Sequence, residues 1–393
     1  MKYLFFILFM TSSNAIIHCQ ITDNESFKTY LSGKSELLDS IMNNENYRVQ
    51  IKYTEIKEQK GTLPIRLTYD YGANKYFYPA SIVKLPLSIL LMEKLKNKGI
   101  SINDYLIITY IDPCRKNKIL IDNQLLNITI GQMIEEMLVV SDDSYFTYFF
   151  YFLSPFEIKK SLRQKSINST QIVHSFSRCM NLNGVDINFE IVDKNGRRQL
   201  SERVKINPVD KTNKKDLTKL IGSQQIRHGK IIDEPYDFSN MNSMSLEDIE
   251  NTLYDLLYLD STQFNKKWNL NYNQRKFLKR CLKKVPRDLS NKQYSDSNQF
   301  PDNYHKFSDL GYSIIPKDIL IYSKIGISYG FVTESSFFEV IENGVKFGLT
   351  YSIYVNKNNI INDSYYEYEK TARLFATELS KTLYKYNMLK TNN

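Results

Sequence analysis

Residues 79–87 of this 393-residue chain have the sequence Pro-Ala-Ser-Ile-Val-Lys-Leu-Pro-Leu, and they give the strongest local indication of its fold. The pattern predicts a helix that begins at or just before Ser81, since Pro86 is near enough to the first turn to be tolerated. Ser81 and Lys84 are three residues apart, which places both side chains on one helix face. From residue 82 to 92 the helix is apolar on nearly all sides, so we expect it to be buried.

A serine and a lysine on one face at the start of a buried helix have the geometry of a nucleophile and its base. A serine hydroxyl needs a base to take its proton, and burial lowers the pKa of a lysine amine, so a neutral Lys84 could accept the proton of Ser81. The alternative is that Lys84 extends to solvent and Ser81 caps the helix. The S-x-x-K spacing arises by chance about once in a chain of this composition, so this spacing alone does not distinguish a catalytic pair from a helix cap beside a solvated lysine.

A second stretch places another serine at a corner between two helices. Residues 129–132, Thr-Ile-Gly-Gln, predict a capping box that opens a helix, and this helix ends at residues 140–144, Val-Ser-Asp-Asp-Ser. A serine at such a corner can present its hydroxyl to a cleft. The alternative is that Ser141 or Asp142 is an ordinary N-cap of the next helix.

A third stretch, residues 323–328 with the sequence Ser-Lys-Ile-Gly-Ile-Ser, predicts a core strand near the end of the chain. A glycine that closely follows a lysine on such a strand allows a ligand to approach the backbone. The alternative is a solvated Lys324 beside a glycine in a β-bulge.

In this order the three stretches resemble the S-x-x-K, S-D-N and K-T-G motifs of the penicillin-recognising serine hydrolases, and class A β-lactamases are the most similar in local sequence. The resemblance covers about residues 45–385, apart from an insertion. It implies four catalytic residues, which are the nucleophile Ser81, its proton acceptor Lys84, the proton relay Ser141 and the positive charge of Lys324. It implies a substrate-binding set of Asp143, Gly326, Ile327 and Ser328, and an oxyanion hole at the backbone N–H groups of Ser81 and Ile327.

The sequence departs from the pattern of that family at three positions. Asp143 replaces an asparagine, which removes a donor, because an ionised carboxylate only accepts hydrogen bonds. Ile325 replaces a threonine or serine, and Ser323 or Ser328 is the expected compensation. Ser177 replaces the deacylating glutamate of the E-x-x-L-N loop, whose best match is residues 177–181. The carboxylates that could replace it are Glu190, Asp233 and Glu234.

The predicted fold class is α+β, with an antiparallel sheet from N- and C-terminal strands, a C-terminal helix and a central all-helical lobe, as in β-lactamases and transpeptidases. Alternation of Val49, Ile51 and Tyr53 with polar residues indicates the first strand. Further strands are predicted at 65–71, 319–329, 331–341 and 345–355, and a helix at about 364–386.

The predicted domains are a signal peptide at 1–20 and one serine β-lactamase-like domain at 21–393. Within it, the sheet lobe takes about 45–78 and 315–390, and the helical lobe about 79–314. Residues 183–235 are polar and basic, with a predicted hairpin at 194–196, and are read as an insertion from the helical lobe.

Lys2 and the apolar residues 4–10 predict an export signal, so we expect a periplasmic or secreted protein. The alternatives are an uncleaved anchor or a hydrophobic first strand. A membrane anchor is expected only if Cys19 is lipidated, and His18 before it fits a lipobox poorly.

The composition, 42% hydrophobic and 24% charged, is that of a globular protein. A net charge of +9 without a run of like charges argues against a nucleic-acid partner. The four cysteines lack a CxxC spacing, and the histidines lack metal-ligand spacing, so no cofactor or metal is predicted.

The predicted function is that of an exported, monomeric serine hydrolase. A β-lactam or a related amide, such as a cell-wall peptide, would acylate Ser81, and the acyl group would then be hydrolysed. The alternative is a catalytically impaired, penicillin-binding-type or non-catalytic envelope binding protein on the same fold.

Overall fold

The structure is a computed structural model that describes residues 24–57, 65–72, 74–111, 119–121, 127–176, 186–206, 216–259 and 267–391. The strands of these ranges are β1 (Gln50–Lys57), β2 (Ile65–Tyr71), β3 (Tyr105–Ile111), β4 (Ile119–Ile121), β5 (Asp186–Val192), β6 (Arg198–Lys205), β7 (Leu220–Ile221), β8 (Gln224–Arg227), β9 (Lys230–Ile232), β10 (Tyr236–Asp237), β11 (Ile319–Ser328), β12 (Phe331–Val340), β13 (Lys346–Tyr354) and β14 (Ile360–Ile361). The α-helices are α1 (Asn24–Leu31), α2 (Glu36–Met42), α3 (Lys84–Asn97), α4 (Ile130–Val139), α5 (Asp143–Leu153), α6 (Pro155–Gln164), α7 (Leu246–Tyr258), α8 (Tyr272–Lys283) and α9 (Leu374–Thr391). The predicted signal peptide, Cys19 and residues 177–181 lie outside the described ranges.

The main sheet joins the two ends of the chain, in the order β11-β12-β13-β1-β2 with every pair antiparallel. Strand β1 pairs on one side with β13 and on the other with β2, so the predicted sheet of terminal strands is confirmed. Its alternating apolar residues, Ile51 and Tyr53, point to the layer that contains α9. On the opposite face, Thr54 hydrogen-bonds to Glu250 of α7. The sheet therefore lies between α9 and the helical lobe.

The C-terminal helix follows one π-helical turn at Tyr368–Arg373. Phe375, Ala376, Leu379 and Leu383 lie on one stripe and are all fully buried against the sheet. This is the stripe that the sequence predicts for the last helix, because residues three and four apart share a helix face.

The prediction of an all-helical central lobe needs one correction, because strands also contribute to this lobe. Helix α3 forms its centre and contacts α4, α5, α6, α7 and α8. A four-stranded antiparallel sheet of order β4-β3-β5-β6 also belongs to this region. Leu106 and Ile108 of β3 join the same core as α3. The run that forms β3 is continuously apolar and short, and periodicity alone cannot separate such a strand from a buried helical segment.

The predicted insertion divides into two parts. Its hairpin is confirmed, since β5 and β6 are antiparallel neighbours and Gly196 in their turn has a φ of +75°. In this part, Ile187, Phe189 and Ile191 alternate with more exposed residues and face the core of the helical lobe. In the second part, 216–235, β8 pairs in parallel with β14 in a separate small sheet, and Ile221 packs in one cluster with Phe331 and Tyr354 at the ends of β12 and β13. No helix within the described ranges is long and apolar enough to cross a bilayer.

Candidate active site

Ser81 lies on a tight turn at the start of the buried helix α3. Residues Ala80–Val83 form a 3₁₀ turn, in which the Ile82 N–H donates to the Pro79 carbonyl at 3.1 Å. Ala80 adopts a left-handed φ of +46°, which is uncommon for a residue with a Cβ. Ser81 is only partly buried, whereas its neighbours Ala80 and Ile82 are buried. The turn therefore leaves the serine, and not its apolar neighbours, accessible to solvent.

Lys84 is fully buried one turn after Ser81, and its ammonium group contacts the second motif. Its Nζ donates to Ser141 Oγ at 3.0 Å, to the Ser141 carbonyl, and to Asp143 Oδ1 at 2.6 Å. Burial lowers the pKa of Lys84 from its ordinary value, and the carboxylate of Asp143 opposes this change. The lysine does not extend to solvent, and its burial favours the neutral amine that a serine base requires.

Ser141 lies at the corner between α4 and α5 with a φ of +61°. The N-cap of α5 is Asp142, whose side chain accepts from the Tyr145 N–H at 2.9 Å. The Ser141 hydroxyl is therefore not used as a helix cap. Its Oγ instead accepts from Lys84 Nζ and Lys324 Nζ, each at 3.0 Å. Three distant stretches of the chain thus meet at one hydroxyl group.

Lys324 is 1% exposed on β11, and its Nζ also donates to the Ile325 carbonyl. Burial lowers the pKa of Lys324 far below its ordinary value, and the nearby charge of Lys84 adds to this effect. Two amines that contact one hydroxyl resist being charged together. The cluster therefore favours a state in which at least one of them is neutral.

Gly326 brings β11 into direct contact with the nucleophile turn. A Cβ at this position would lie 2.9 Å from the backbone nitrogens of Ser81 and Ile82, and would overlap the Pro79 carbonyl. Strand β11 is the edge of the main sheet, so the backbone beyond Gly326 is open towards Ser81. Ile327 and Ser328 follow on this strand and are both partly exposed. The absence of a side chain at residue 326 is what permits this approach.

We expect Gly326→Ala to lower the free energy of unfolding by about 1–3 kcal/mol, because overpacking of this contact forces the strand and the turn apart. Acylation of Ser81 should also slow. Ile325→Val is the matched control, since it removes one methylene from the same strand at a cost of about 0.5–1.5 kcal/mol. Chemical denaturation and acylation rates of both variants test this. Equal acylation rates in the two variants would contradict the role of Gly326.

Ile325 and Ser323 do not face the cleft. Ile325 is buried in the layer that contains α9, on the sheet face opposite to Lys324. Ser323 lies on the same face, because residues two apart in a strand point the same way, and its hydroxyl accepts from Lys306 Nζ at 2.8 Å. The expectation that Ser323 compensates for the hydroxyl missing at Ile325 is therefore wrong, and Ser328 is the remaining candidate.

The carboxylates considered as substitutes for the missing glutamate have partners or positions elsewhere. Glu190 pairs with Arg198 at 3.2 Å across the β5–β6 hairpin. Asp233 accepts from Gln224 Nε2, and Glu234 is exposed in the turn after β9. Within the described part of the chain, none of these three carboxylates contacts the site. Asp143 is the carboxylate that does, through Lys84.

Several residues around the site were not predicted from the sequence. The rings of Phe176 and Phe146 lie 5.2 and 5.9 Å from Lys84 Nζ. The Tyr78 hydroxyl is 3.4 Å from His174 Nε2, and burial lowers the pKa of that histidine. Tyr78 precedes Ser81 by three residues, but nothing in its local sequence indicates a partner 96 residues away. These contacts depend on tertiary packing.

Two further titratable groups lie near Lys324. His305 is partly buried, and desolvation together with the charges of Lys324 and Lys84 lowers its pKa far below the ordinary value. Burial lowers the pKa of Lys306 to about 8, although Glu334 opposes this change. Glu334 accepts from the Ser308 hydroxyl and from Tyr351. Among the described residues, no group of three or more His, Cys, Asp or Glu side chains is arranged to hold a metal ion.

Comparisons with known proteins fit this geometry. Residues 35–257 match the model of the beta-lactamase enzyme family. A beta-lactamase from Burkholderia vietnamiensis superposes with a TM-score of 0.50 at 10% identity, over 91% of this chain and 97% of that chain. A β-lactamase from Sphaerobacter thermophilus gives 0.49 at 11% identity over 90% and 96%, and PBP-A gives 0.48 at 11% over 90% and 97%. No curated protein sequence matches.

The fold is that of the β-lactamase/transpeptidase-like serine hydrolases, with its sheet of terminal strands, its C-terminal helix and its helical lobe. At 10% identity the superposed structure shows the fold alone. The family match covers more than half of the chain, so this protein belongs to the beta-lactamase enzyme family.

Proposed function

We propose that this protein is a serine hydrolase that is acylated at Ser81 by a β-lactam or a related amide, and that then hydrolyses the acyl group. The observation that carries the proposal is the hydroxyl of Ser141 between two buried amines, one of which, Lys84, directly follows the turn that contains Ser81. A buried, neutral amine can accept the proton of the serine, and a second hydroxyl can pass a proton to the leaving nitrogen.

In the proposed acylation, Ser81 Oγ attacks the amide carbonyl and Lys84 accepts the hydroxyl proton. Ser141 then delivers its proton to the departing amine and takes the proton from Lys84, so that the C–N bond breaks as the ester forms and Lys84 and Ser141 return to their starting states. The backbone N–H groups of Ser81 and Ile327 would stabilise the tetrahedral oxyanion, as preorganised donors do in acyl transfer. Lys324 would hydrogen-bond to Ser141, and it would supply positive charge once an anionic group of the substrate binds beside it and favours its protonated form.

A penicillin-binding-type protein that releases its acyl group slowly is the second candidate. Ile325 faces the α9 layer and supplies no hydroxyl to the cleft. Glu190, Asp233 and Glu234 make no contact with the site among the described residues. The position of these three carboxylates favours slow release and leaves the acylation step unaffected, whereas the missing hydroxyl at Ile325 affects the binding of an anionic substrate group. A non-catalytic binding protein is the outcome if acylation itself is absent.

Intact-mass measurement of the protein after incubation with benzylpenicillin tests the acylation step. We expect one covalent adduct, which proteolytic mapping places on the peptide that contains Ser81. Turnover of a chromogenic cephalosporin then separates a hydrolase from a slow penicillin-binding protein. The absence of both adduct and turnover would contradict the proposal and would favour the binding protein.

Export remains a proposal that rests on the sequence of residues 1–20 alone. The proposed site for β-lactams or wall peptides is consistent with an envelope location, where such molecules are encountered. Expression in a bacterial host, followed by fractionation and N-terminal sequencing of the product, tests it. An unprocessed cytoplasmic product would contradict it.

A further inference from the structure

Release of an acyl group from Ser81 requires a base that takes a proton from the attacking water. The family position of that base falls within residues 177–181, where this sequence has no carboxylate. Asp143 is the carboxylate that directly contacts the catalytic cluster in the described part of the chain, through its Oδ1 at 2.6 Å from Lys84 Nζ. It occupies a position where the resemblance implies an amide, and an amide cannot act as such a base.

The backbone around Asp143 is held by hydrogen bonds, while its carboxylate is exposed to solvent. Asp143 is the first residue of α5, whose preceding residue Asp142 caps the helix. Its carbonyl accepts from the Thr147 hydroxyl at 2.8 Å. The Asp143 side chain is nevertheless 62% exposed, whereas its partner Lys84 is fully buried. One carboxylate oxygen is thus held by the lysine, and the group as a whole remains accessible to water.

We propose that Asp143 is the general base for release of the acyl group, which makes this protein a hydrolase with its base in the second motif. This inference rests on the proposed acylation at Ser81. A water molecule forms a new C–O bond to the ester carbonyl and gives its proton to the Asp143 carboxylate. As the tetrahedral intermediate collapses, the bond to Ser81 Oγ breaks. The proton passes through Lys84 to that oxygen, and the carboxylate, lysine and serine return to their starting state.

The contact with Lys84 explains how Asp143 can serve the release of the acyl group without disturbing acylation. An asparagine at residue 143 keeps an oxygen that accepts from Lys84 Nζ, so the lysine keeps its position. The capacity to accept a proton is lost, together with the negative charge that opposes the lowering of the Lys84 pKa. Loss of that charge favours the neutral amine that acylation needs. Asp143→Asn therefore separates acylation from release, which a purely structural role of Asp143 would not do.

The test compares Asp143→Asn with two matched carboxylate-to-amide controls, Asp233→Asn and Glu190→Gln. Each protein is mixed with benzylpenicillin, and the adduct is followed over time by intact mass. In Asp143→Asn we expect acylation within about tenfold of wild type and release slowed by about 10²-fold or more. The controls should release at the wild-type rate. Thermal unfolding verifies that each variant is folded.

A second variant, Asp143→Ala, keeps the inference testable if the asparagine protein folds poorly. Added formate or azide, which can enter the vacated space as a base, should partly restore release.

The outcomes separate this inference from the proposed function. Rapid release by Asp143→Asn overturns the assignment of the base, as does release lost only in Asp233→Asn or Glu190→Gln. A wild-type adduct that never decays also overturns it, while acylation at Ser81 stands. Absence of any wild-type adduct overturns both.

Discussion

Ser81→Ala is expected to abolish both the covalent adduct with benzylpenicillin and the turnover of a chromogenic cephalosporin. The Ser81 hydroxyl is the group from which the ester is built, so no residual chemistry through this residue survives its removal. The free energy of unfolding should change by no more than about 0.5 kcal/mol, since Ser81 is only partly buried and its Oγ makes no hydrogen bond within the described ranges. Intact mass, initial rates and chemical denaturation measure these three quantities.

Ser40→Ala is a suitable control, because Ser40 lies exposed on α2 and its hydroxyl bonds only to the Leu37 carbonyl one turn earlier. This variant should retain the full adduct. An adduct that persists in Ser81→Ala would place the nucleophile elsewhere, and Ser141 or Ser328 would be the next serine to replace. Loss of the adduct together with loss of folding would say nothing about chemistry, so the denaturation experiment belongs with the mass measurement.

Sequence reasoning succeeded where the signal is local. The capping box at Thr129 and the stripe on α9 are each contained within one helix, so no long-range information is needed. The helix predicted to begin at Ser81 begins at Lys84, and Ser81 lies on the 3₁₀ turn before it. The single antiparallel sheet of N- and C-terminal strands also followed, because strands at both ends of the chain have few other ways to cover their apolar faces.

Sequence reasoning failed where the structure depends on packing between distant segments. Strand β3 was assigned to a helical lobe, since its apolar run lacks any period that marks a strand. The alternation of β11 correctly separates Lys324 from Ile325, yet only the tertiary structure shows that Lys306 occupies the Ser323 hydroxyl. The salt bridge of Asp143 with Lys84 joins residues 59 apart and could not be read from either motif alone.

Lys84→Met is expected to slow acylation of Ser81 by about 10²–10⁴-fold, the range that a general base contributes. Methionine fills a similar volume but cannot take a proton. In the wild type, the acylation rate should rise with pH through the pKa of Lys84, which burial places below the ordinary value of 10.5. The variant should lack that rise. Rapid mixing with a chromogenic cephalosporin at a series of pH values measures both effects.

The same substitution should leave the free energy of unfolding unchanged or raise it, because it removes an amine whose burial opposes its charge. Ser141 keeps its contact with Lys324, and the exposed Asp143 carboxylate can be hydrated. Since the pKa of Lys84 is lower in the folded state than in the unfolded state, the wild type gains stability as pH rises towards 10.5. The advantage of the methionine variant is therefore largest at low pH and shrinks as pH rises.

Lys94→Met separates these effects from the loss of any lysine in α3. Lys94 lies on the same helix and pairs with Glu202 at 2.9 Å, away from Ser81 and Ser141. Its removal should leave the acylation rate at the wild-type value. If Lys84→Met acylates as fast as Lys94→Met, then Lys84 is not the base, and the proton of Ser81 must leave through Ser141 and Lys324. If Lys84→Met acylates slowly and its free energy of unfolding is also strongly lowered, then Lys84 is a structural group of the core. The prediction that its loss does not destabilise the protein would then be wrong.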